Sequence, residues 1–255
     1  MTLPSYHWWR TVFFLIPVIA IYSIVLGTVS VLSTVSDRSG RFAHRCARLW
    51  SRLILATTGV QVEVTGLEHL TPGTTYVFVS NHQSIFDIPV VFWAVPYQVR
   101  IIAKRSLGSV PFLGWHLRRT GHLLVDRRHP DAPGILQRWR QLLGDGLSLI
   151  IFPEGTRSAD GRVARFKAGS FLLAMEAKLP IVPLSITGTR FVMRKGFLTA
   201  RPGHVRLTVH PPVSTVGSPE RPDTRAARSL GTRVRAVIEA RVTAEDEVLG
   251  SWPSN

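Results

Sequence analysis

Two polar clusters in this 255-residue chain carry side chains able to do chemistry together. The first is Asn81-His82-Gln83-Ser84-Ile85-Phe86-Asp87, set directly behind the apolar run Tyr76-Val77-Phe78-Val79. An imidazole with a carboxylate beside it takes a proton near neutral pH, because the carboxylate orients the ring and stabilises its charged form. Five residues on one ideal helix are about 140° apart, so His82 and Asp87 cannot meet if both are helical. The pair therefore requires His82 in a loop and Asp87 at or near a helix N-cap. Pro89, suited to a first turn, agrees. Asp87 as a plain helix cap, or as the last member of a Ser84-x-x-Asp87 capping box, accounts for the same spacing. The second cluster is Pro153-Glu154-Gly155-Thr156-Arg157-Ser158, behind Leu149-Ile150-Ile151-Phe152. An arginine, two hydroxyls and a glycine that lets the backbone approach suit a group of phosphate oxygens. Arg127 ends the run Gly121–Asp126, and Lys104 with Arg105 ends Val99–Ala103, which gives further cations for the same anion.

These residues need a scaffold that brings them to one edge. Candidate strands are Val62–Thr65, Thr75–Val79, Val99–Ala103, His122–Val125, Leu147–Phe152, Ile181–Ile186 and Val205–Val209. Helical segments fall near Ile88–Ala94, Pro133–Gly144 and Ala168–Ala177, and a basic amphipathic helix covers about Thr224–Thr243. Strands alternating with helices predict an α/β domain with a mainly parallel central sheet flanked by helices. Strand ends on one edge are where such domains place their chemistry.

Upstream of that domain no charged side chain occurs between Arg10 and Asp37. Thirteen of the twenty residues Val12–Val31 are Val, Ile, Leu or Phe; on insertion scales they favour lipid by about 6 kcal/mol, over the ~20 residues that cross a bilayer. A cleaved signal peptide would have a shorter apolar core and a small-residue cleavage site; a buried soluble helix is the other alternative. Arg41, Arg45, Arg48 and Arg52 then recur as one helical stripe, beside an apolar stripe of Phe42, Cys46, Leu49, Trp50 and Leu53. That pattern suits an anionic lipid surface or an ordinary packed surface helix. Residues 1–58 thus read as an N-terminal two-helix membrane anchor, whose first helix either spans the bilayer or bends back within one leaflet, with residues 59–255 as the α/β domain including its C-terminal helix. Basic residues after the first helix place that domain on the cytoplasmic side of a cell membrane.

The formal net charge is +15 and the pI about 11.4, which implies an anionic partner. Arginine makes up 27 of the 31 basic residues, which reflects either phosphate recognition or genomic base composition. Cys46 is the only cysteine, so one chain forms no disulfide. There is no Gly-x-Ser-x-Gly elbow and no Gly-x4-Gly-Lys-Ser/Thr loop, so neither a covalent serine mechanism nor a nucleotide-binding loop is expected. The other histidines show no ligand-pair spacing, so no metal is expected.

Asn81-His82-x4-Asp87, Gly121–Arg127, Phe152–Ser158 and Ile181-Val182-Pro183-Leu184 resemble the four ordered blocks of the glycerolipid acyltransferase family. The resemblance covers roughly residues 60–215, and Phe166-Lys167-x-Gly169 also fits. It is nearest to the branch of the family that acylates 1-acylglycerol-3-phosphate to give phosphatidic acid. It implies transfer of a fatty acyl group from acyl-CoA or acyl carrier protein, with no other cofactor and no covalent intermediate. It further implies His82 as base and Asp87 as its partner, and a glycerol-phosphate site formed by Arg127, Glu154, Gly155, Thr156 and Arg157. Pro183 falls in the block tied to the acyl donor; Lys104 is an additional phosphate contact read from its position alone. The expected partners are membrane lipid, a lysophospholipid acceptor and the acyl donor, with no nucleic acid. The same chemistry on another lysophospholipid or lyso-aminolipid stays open, as does a non-enzymatic basic protein that binds anionic membranes or nucleic acid.

Overall fold

The computed structural model describes residues 5–37, 39–126, 132–217 and 223–250. Seven strands form one sheet: β1 Val60–Thr65, β2 Val77–Ser80, β3 Val99–Lys104, β4 Leu123–Val125, β5 Ser148–Ile151, β6 Ile181–Thr187 and β7 Gly203–Val209. Their order is β1-β7-β6-β2-β5-β3-β4. Every neighbouring pair is parallel except β6 with β7. The mainly parallel sheet expected from the alternation of strands and helices is therefore present, in the α/β class.

The apolar content of each strand follows its place in that order. In β2, β5 and β6 every residue is buried, as central parallel strands covered on both faces must be. β7, one strand in from the edge, alternates buried and partly exposed positions. Successive residues of β2 point to opposite faces: Phe78 joins a core with Val90, Phe92, Ile101 and Val182, while Val77 and Val79 join Leu149, Phe171, Trp139 and Ile238. The helix Thr224–Gly250 covers this second face, so the basic amphipathic C-terminal segment packs on the domain.

The N-terminal residues fold as an antiparallel helical hairpin. Its first helix, Tyr6–Ser33, is long and apolar enough to cross a membrane and carries a π-helical turn at Thr11–Leu15. The second runs Arg41–Thr58, closed by Gly59 in the left-handed conformation at φ 81°. Arg10 donates from Nη2 to the carbonyls of Thr57 (2.9 Å) and Thr58 (3.0 Å), placing a cation on the orphan oxygens of the second helix's C-terminus. Trp50 Nε1 donates to Ser23 Oγ at 3.0 Å and ties the helices at mid-length. Leu15, Ile54 and Leu55 are buried in the same core as the sheet, so the hairpin is packed against the domain.

The parallel strands β2, β3, β5 and β6 all finish at one edge of the sheet, at Ser80, Lys104, Ile151 and Thr187. The loops leaving that edge hold both polar clusters.

Candidate active site

The His82 loop is pinned at its first residue by a side chain acting as backbone. Asn81 Oδ1 accepts from the Ile186 N–H and Asn81 Nδ2 donates to the Ile186 carbonyl, both at 2.8 Å. The ladder between β2 and β6 is thereby extended one rung beyond the last strand residue. His82 is then held by its own backbone: its N–H donates to Glu154 Oε1 at 2.7 Å, and its carbonyl accepts from the Ser158 N–H at 2.7 Å. The loops after β2 and β5 are thus fastened to each other at the histidine.

Asp87 is the first residue of the helix Asp87–Ala94 and is fully buried. Its Oδ2 lies 2.7 Å from His82 Nδ1 and also accepts the N–H groups of Gln83 (2.8 Å) and Ser84 (2.9 Å). Its Oδ1 accepts from Thr189 Oγ1 at 2.6 Å. The two sequence readings of Asp87 turn out to be compatible. The Ser84 N–H is bonded as a capping box would bond it, although the helix starts only at Asp87 with Phe86 before it, and the same Oδ2 contacts His82. An ionised carboxylate only accepts, so Nδ1 of His82 is the donor to Asp87, and a neutral ring in that tautomer carries its lone pair on Nε2. The ring lies on Phe152 with centroids 4.3 Å apart, which fixes the direction of Nε2.

Beside the ring is a cavity of about 340 Å³. One part of its lining is polar, with His82, Arg157 and Lys104. The rest is mostly apolar, with Leu26 from the first helix, Trp50 from the second, and Ile88, Phe92, Ile101 and Leu113 from the domain. Such a wall suits a hydrocarbon chain, and the cations suit an anionic head.

The remaining expected site residues are distributed unevenly. Arg157 is half-buried, its carbonyl accepting from Lys195 Nζ at 2.8 Å, and Lys104 is exposed at the end of β3. Gly155 has φ 74°, a conformation that favours glycine, and the end of the Lys167 side chain lies against it. Thr156 is exposed. Glu154 is buried, and both its oxygens are occupied by the protein's own backbone, Oε1 by His82 N–H and Oε2 by Ala164 N–H at 3.1 Å. Burial raises its pKa, against the two backbone donors that lower it. Pro183 is buried within β6 opposite Val79 and does not line the cavity. Arg127 lies outside the described residues.

Sequence reasoning missed Thr189 and a group of histidines. Thr189 follows β6 at the same sheet edge, which is the one signal that could have found it. His44 from the second hairpin helix, His116 from the helix Leu113–Arg119 and His122 from the turn before β4 surround Arg100, which is 3% exposed. His116 Nδ1 is 2.6 Å from Ser30 Oγ on the first helix, and the Ile101 N–H donates to His122 Nδ1 at 3.0 Å. Burial, and then the Arg100 guanidinium, hold His44 and His116 down to about 4. Burial holds His122 well below its ordinary value, and brings Arg100 to about 10. Among the described residues no three His, Cys, Asp or Glu side chains are placed to hold a metal ion.

The acyltransferase family model matches residues 61–187. Over 165 residues the chain is 37% identical to a 1-acyl-sn-glycerol-3-phosphate acyltransferase of Limnanthes alba, covering 64% of this chain and 58% of that one. It is likewise 37% identical over 165 residues to the 1-acyl-sn-glycerol-3-phosphate acyltransferase alpha of Mus musculus, covering 62% and 57%. The chain therefore spans under two thirds of the length of these curated relatives. Its structure resembles the crystal structure of the 1-acyl-sn-glycerophosphate (LPA) acyltransferase from Thermotoga maritima, with a TM-score of 0.72 and 28% identity over 93% of this chain and 97% of that one.

Proposed function

Through residues 61–187 this chain belongs to the acyltransferase family, and we propose that it moves a fatty acyl group from a thioester to the free hydroxyl of 1-acylglycerol-3-phosphate, giving phosphatidic acid. The observation that carries this reading is the 2.7 Å contact of His82 Nδ1 with Asp87, which leaves Nε2 as the basic atom of a histidine lining a cavity with two cations and an apolar wall. The relatives' names supply the acceptor, and Arg157 and Lys104 suit its phosphate.

In the proposed reaction His82 Nε2 takes the proton of the acceptor hydroxyl as its oxygen attacks the thioester carbonyl. The tetrahedral intermediate collapses with a new C–O bond formed and the C–S bond broken. The departing thiolate takes the proton back from the imidazolium, whose charge Asp87 stabilises throughout. Glu154 acts as a positioning residue, because both its oxygens hold backbone of the two site loops. The donor is acyl-CoA or acyl carrier protein, and no further cofactor takes part. The helices of residues 1–58 hold the enzyme at the cell membrane that supplies its substrates, with the α/β domain of residues 59–255 on the cytoplasmic side.

The test is an assay of membranes containing this chain with labelled acyl-CoA, or labelled acyl carrier protein, and a panel of lyso-acceptors. Product is expected with 1-acylglycerol-3-phosphate, and His82→Ala is expected to lower it by about 10²- to 10⁴-fold, the worth of a general base. Equal product from both proteins sinks the role of His82. Product only with acceptors lacking phosphate sinks the role of Arg157 and Lys104.

A further inference from the structure

The α/β domain carries two exposed apolar loops that no step of the proposed chemistry uses. The first leaves β3 and contains a 3₁₀ turn, Arg105–Ser109, and the helix Leu113–Arg119. It exposes Leu107, Val110 and Trp115, the last 50% accessible. The second leaves β6 and exposes Phe191, Phe197 and Leu198, with Phe197 65% accessible. Large apolar side chains gathered in this way mark a contact surface rather than ordinary scatter.

Topology puts both loops on one side. β3 and β6 run parallel to β2 and β5 and flank them in the order β6-β2-β5-β3. The two loops therefore leave the same sheet edge as His82 and Glu154, one on either side of them. Each loop is also continuous with the apolar helix Tyr6–Ser33. At Gly27 an added Cβ would lie 3.1 Å from Phe112 Cβ, and Ser30 meets His116, so the first loop packs on the helix's C-terminal half. Phe112 is held there at φ 60°, rare for a side chain of its size, with its ring against Trp115 at 4.9 Å. The Ala200 N–H donates to Thr11 Oγ1 at 2.8 Å, so the second loop is fastened near the helix's N-terminal end.

Charge selects the occupant. No Asp or Glu occurs between Asp87 and Asp126, or between Glu176 and Glu220. The first loop exposes Lys104, Arg105, Arg118 and Arg119, and the second Arg194, Lys195 and Arg201. Apolar and aromatic side chains interleaved with cations alone match a bilayer interface with anionic headgroups, where hydrocarbon takes the first and phosphate the second.

We propose that these two loops are a membrane-docking surface of the α/β domain itself, seated in an anionic lipid interface on either side of His82. The proposal rests on the reading of the first helix as embedded in lipid. Leu107 and Ile85, both exposed, also line the cavity, so its rim lies on the docked side. A lysophospholipid then reaches the histidine from the bilayer without passing through water.

The experiment uses the full chain in vesicles of phosphatidylcholine with and without phosphatidylglycerol. Cys46 is buried, so an introduced cysteine labels selectively and the unmodified chain is the blank. An environment-sensitive fluorophore is placed in turn by Val110→Cys, Leu198→Cys, Val25→Cys on the first helix, and Ala236→Cys on the exposed side of the C-terminal helix. Spin-labelled lipid is the quencher. Labels at 110 and 198 should lose fluorescence to a similar extent as the label at 25, with a blue shift that deepens when phosphatidylglycerol is present, while the label at 236 is unaffected. Quenching at 25 without quenching at 110 and 198 overturns the docking surface and leaves the anchor standing. No quenching at 25 overturns the anchor, and the docking surface with it. Equal quenching at 236 shows a domain with no fixed orientation and overturns the proposal.

Discussion

Acidification should destabilise this fold through His44 and His116, and the size of the effect follows from their burial. Each has an ordinary pKa of 6.5 and is held at about 4 in the folded chain, by burial first and by the Arg100 charge second. The folded state thus binds fewer protons than the unfolded state between those two values. Stability rises with pH across that window and falls as pH drops through it. Between pH 7.5 and pH 5 the unfolded imidazole becomes almost fully protonated while the folded one stays almost neutral, a loss of about 2 kcal/mol for each residue. The two together lose roughly 4 kcal/mol, about 8–16 °C of thermal midpoint for a chain near this size. His122 shifts in the same direction. The assay is thermal unfolding in detergent at both pH values, for wild type and for a His44→Gln, His116→Gln double variant. Carboxylates and the remaining histidines contribute alike to both proteins and cancel in the comparison. The wild type should lose roughly 4 kcal/mol more than the variant on acidification. If the variant's midpoint falls as far as the wild type's, the buried imidazoles are not the cause and the reasoning fails.

Two further outcomes separate roles within the site. Glu154→Gln should lower both kcat and the thermal midpoint while leaving KM for the acceptor unchanged, because the carboxylate holds the His82 backbone; a raised KM with unchanged kcat would instead return Glu154 to substrate binding. Arg157→Ala should raise KM for phosphate-bearing acceptors roughly 10- to 100-fold, as loss of a charge-assisted hydrogen bond does, with KM for the acyl donor unaltered; an unchanged acceptor KM in steady-state assays removes it from the phosphate site.

Strands were legible because each is a short apolar run closed by polar or turn residues, and all seven lie where those runs lie, within a few residues at their ends. The helix Leu113–Arg119 was not, since Gly114 argues locally against it and Phe112 just before it, at φ 60°, packs on the distant Gly27. The His82–Asp87 geometry was legible because both residues sit in one loop and proline marks the helix start. Its supports were not: Glu154 reaches His82 across 72 residues and Thr189 reaches Asp87 across 102. No local pattern encodes such contacts. The histidines around Arg100 illustrate the same limit, because two helices and a connecting turn bring them together and no periodic spacing marks the group.

The packing of the first helix bears on how the chain sits in lipid. Thr11 touches Ala200 and Ser30 touches His116, so the helix is held to the α/β domain near both ends. Nineteen residues separate those contacts, about 28 Å along the axis, which is close to the full hydrocarbon thickness of ~30 Å. A helix standing upright across the bilayer would draw the adjoining domain surface in with it. Exposed Arg118 and Arg119 beside His116, and exposed Arg201 beside Ala200, would then come near opposite faces with charged and polar domain surface in hydrocarbon between them, at several kcal/mol for each desolvated group. A helix lying along one leaflet has no such cost, and leaves the same arginines among headgroups. Length and composition, which alone qualify the segment to span, therefore give way to its contacts. The orientation rule based on basic residues presupposes a crossing. For a helix that does not cross, the proposed cytoplasmic placement rests instead on the stripe Arg41, Arg45, Arg48 and Arg52, whose charge suits the anionic cytoplasmic leaflet.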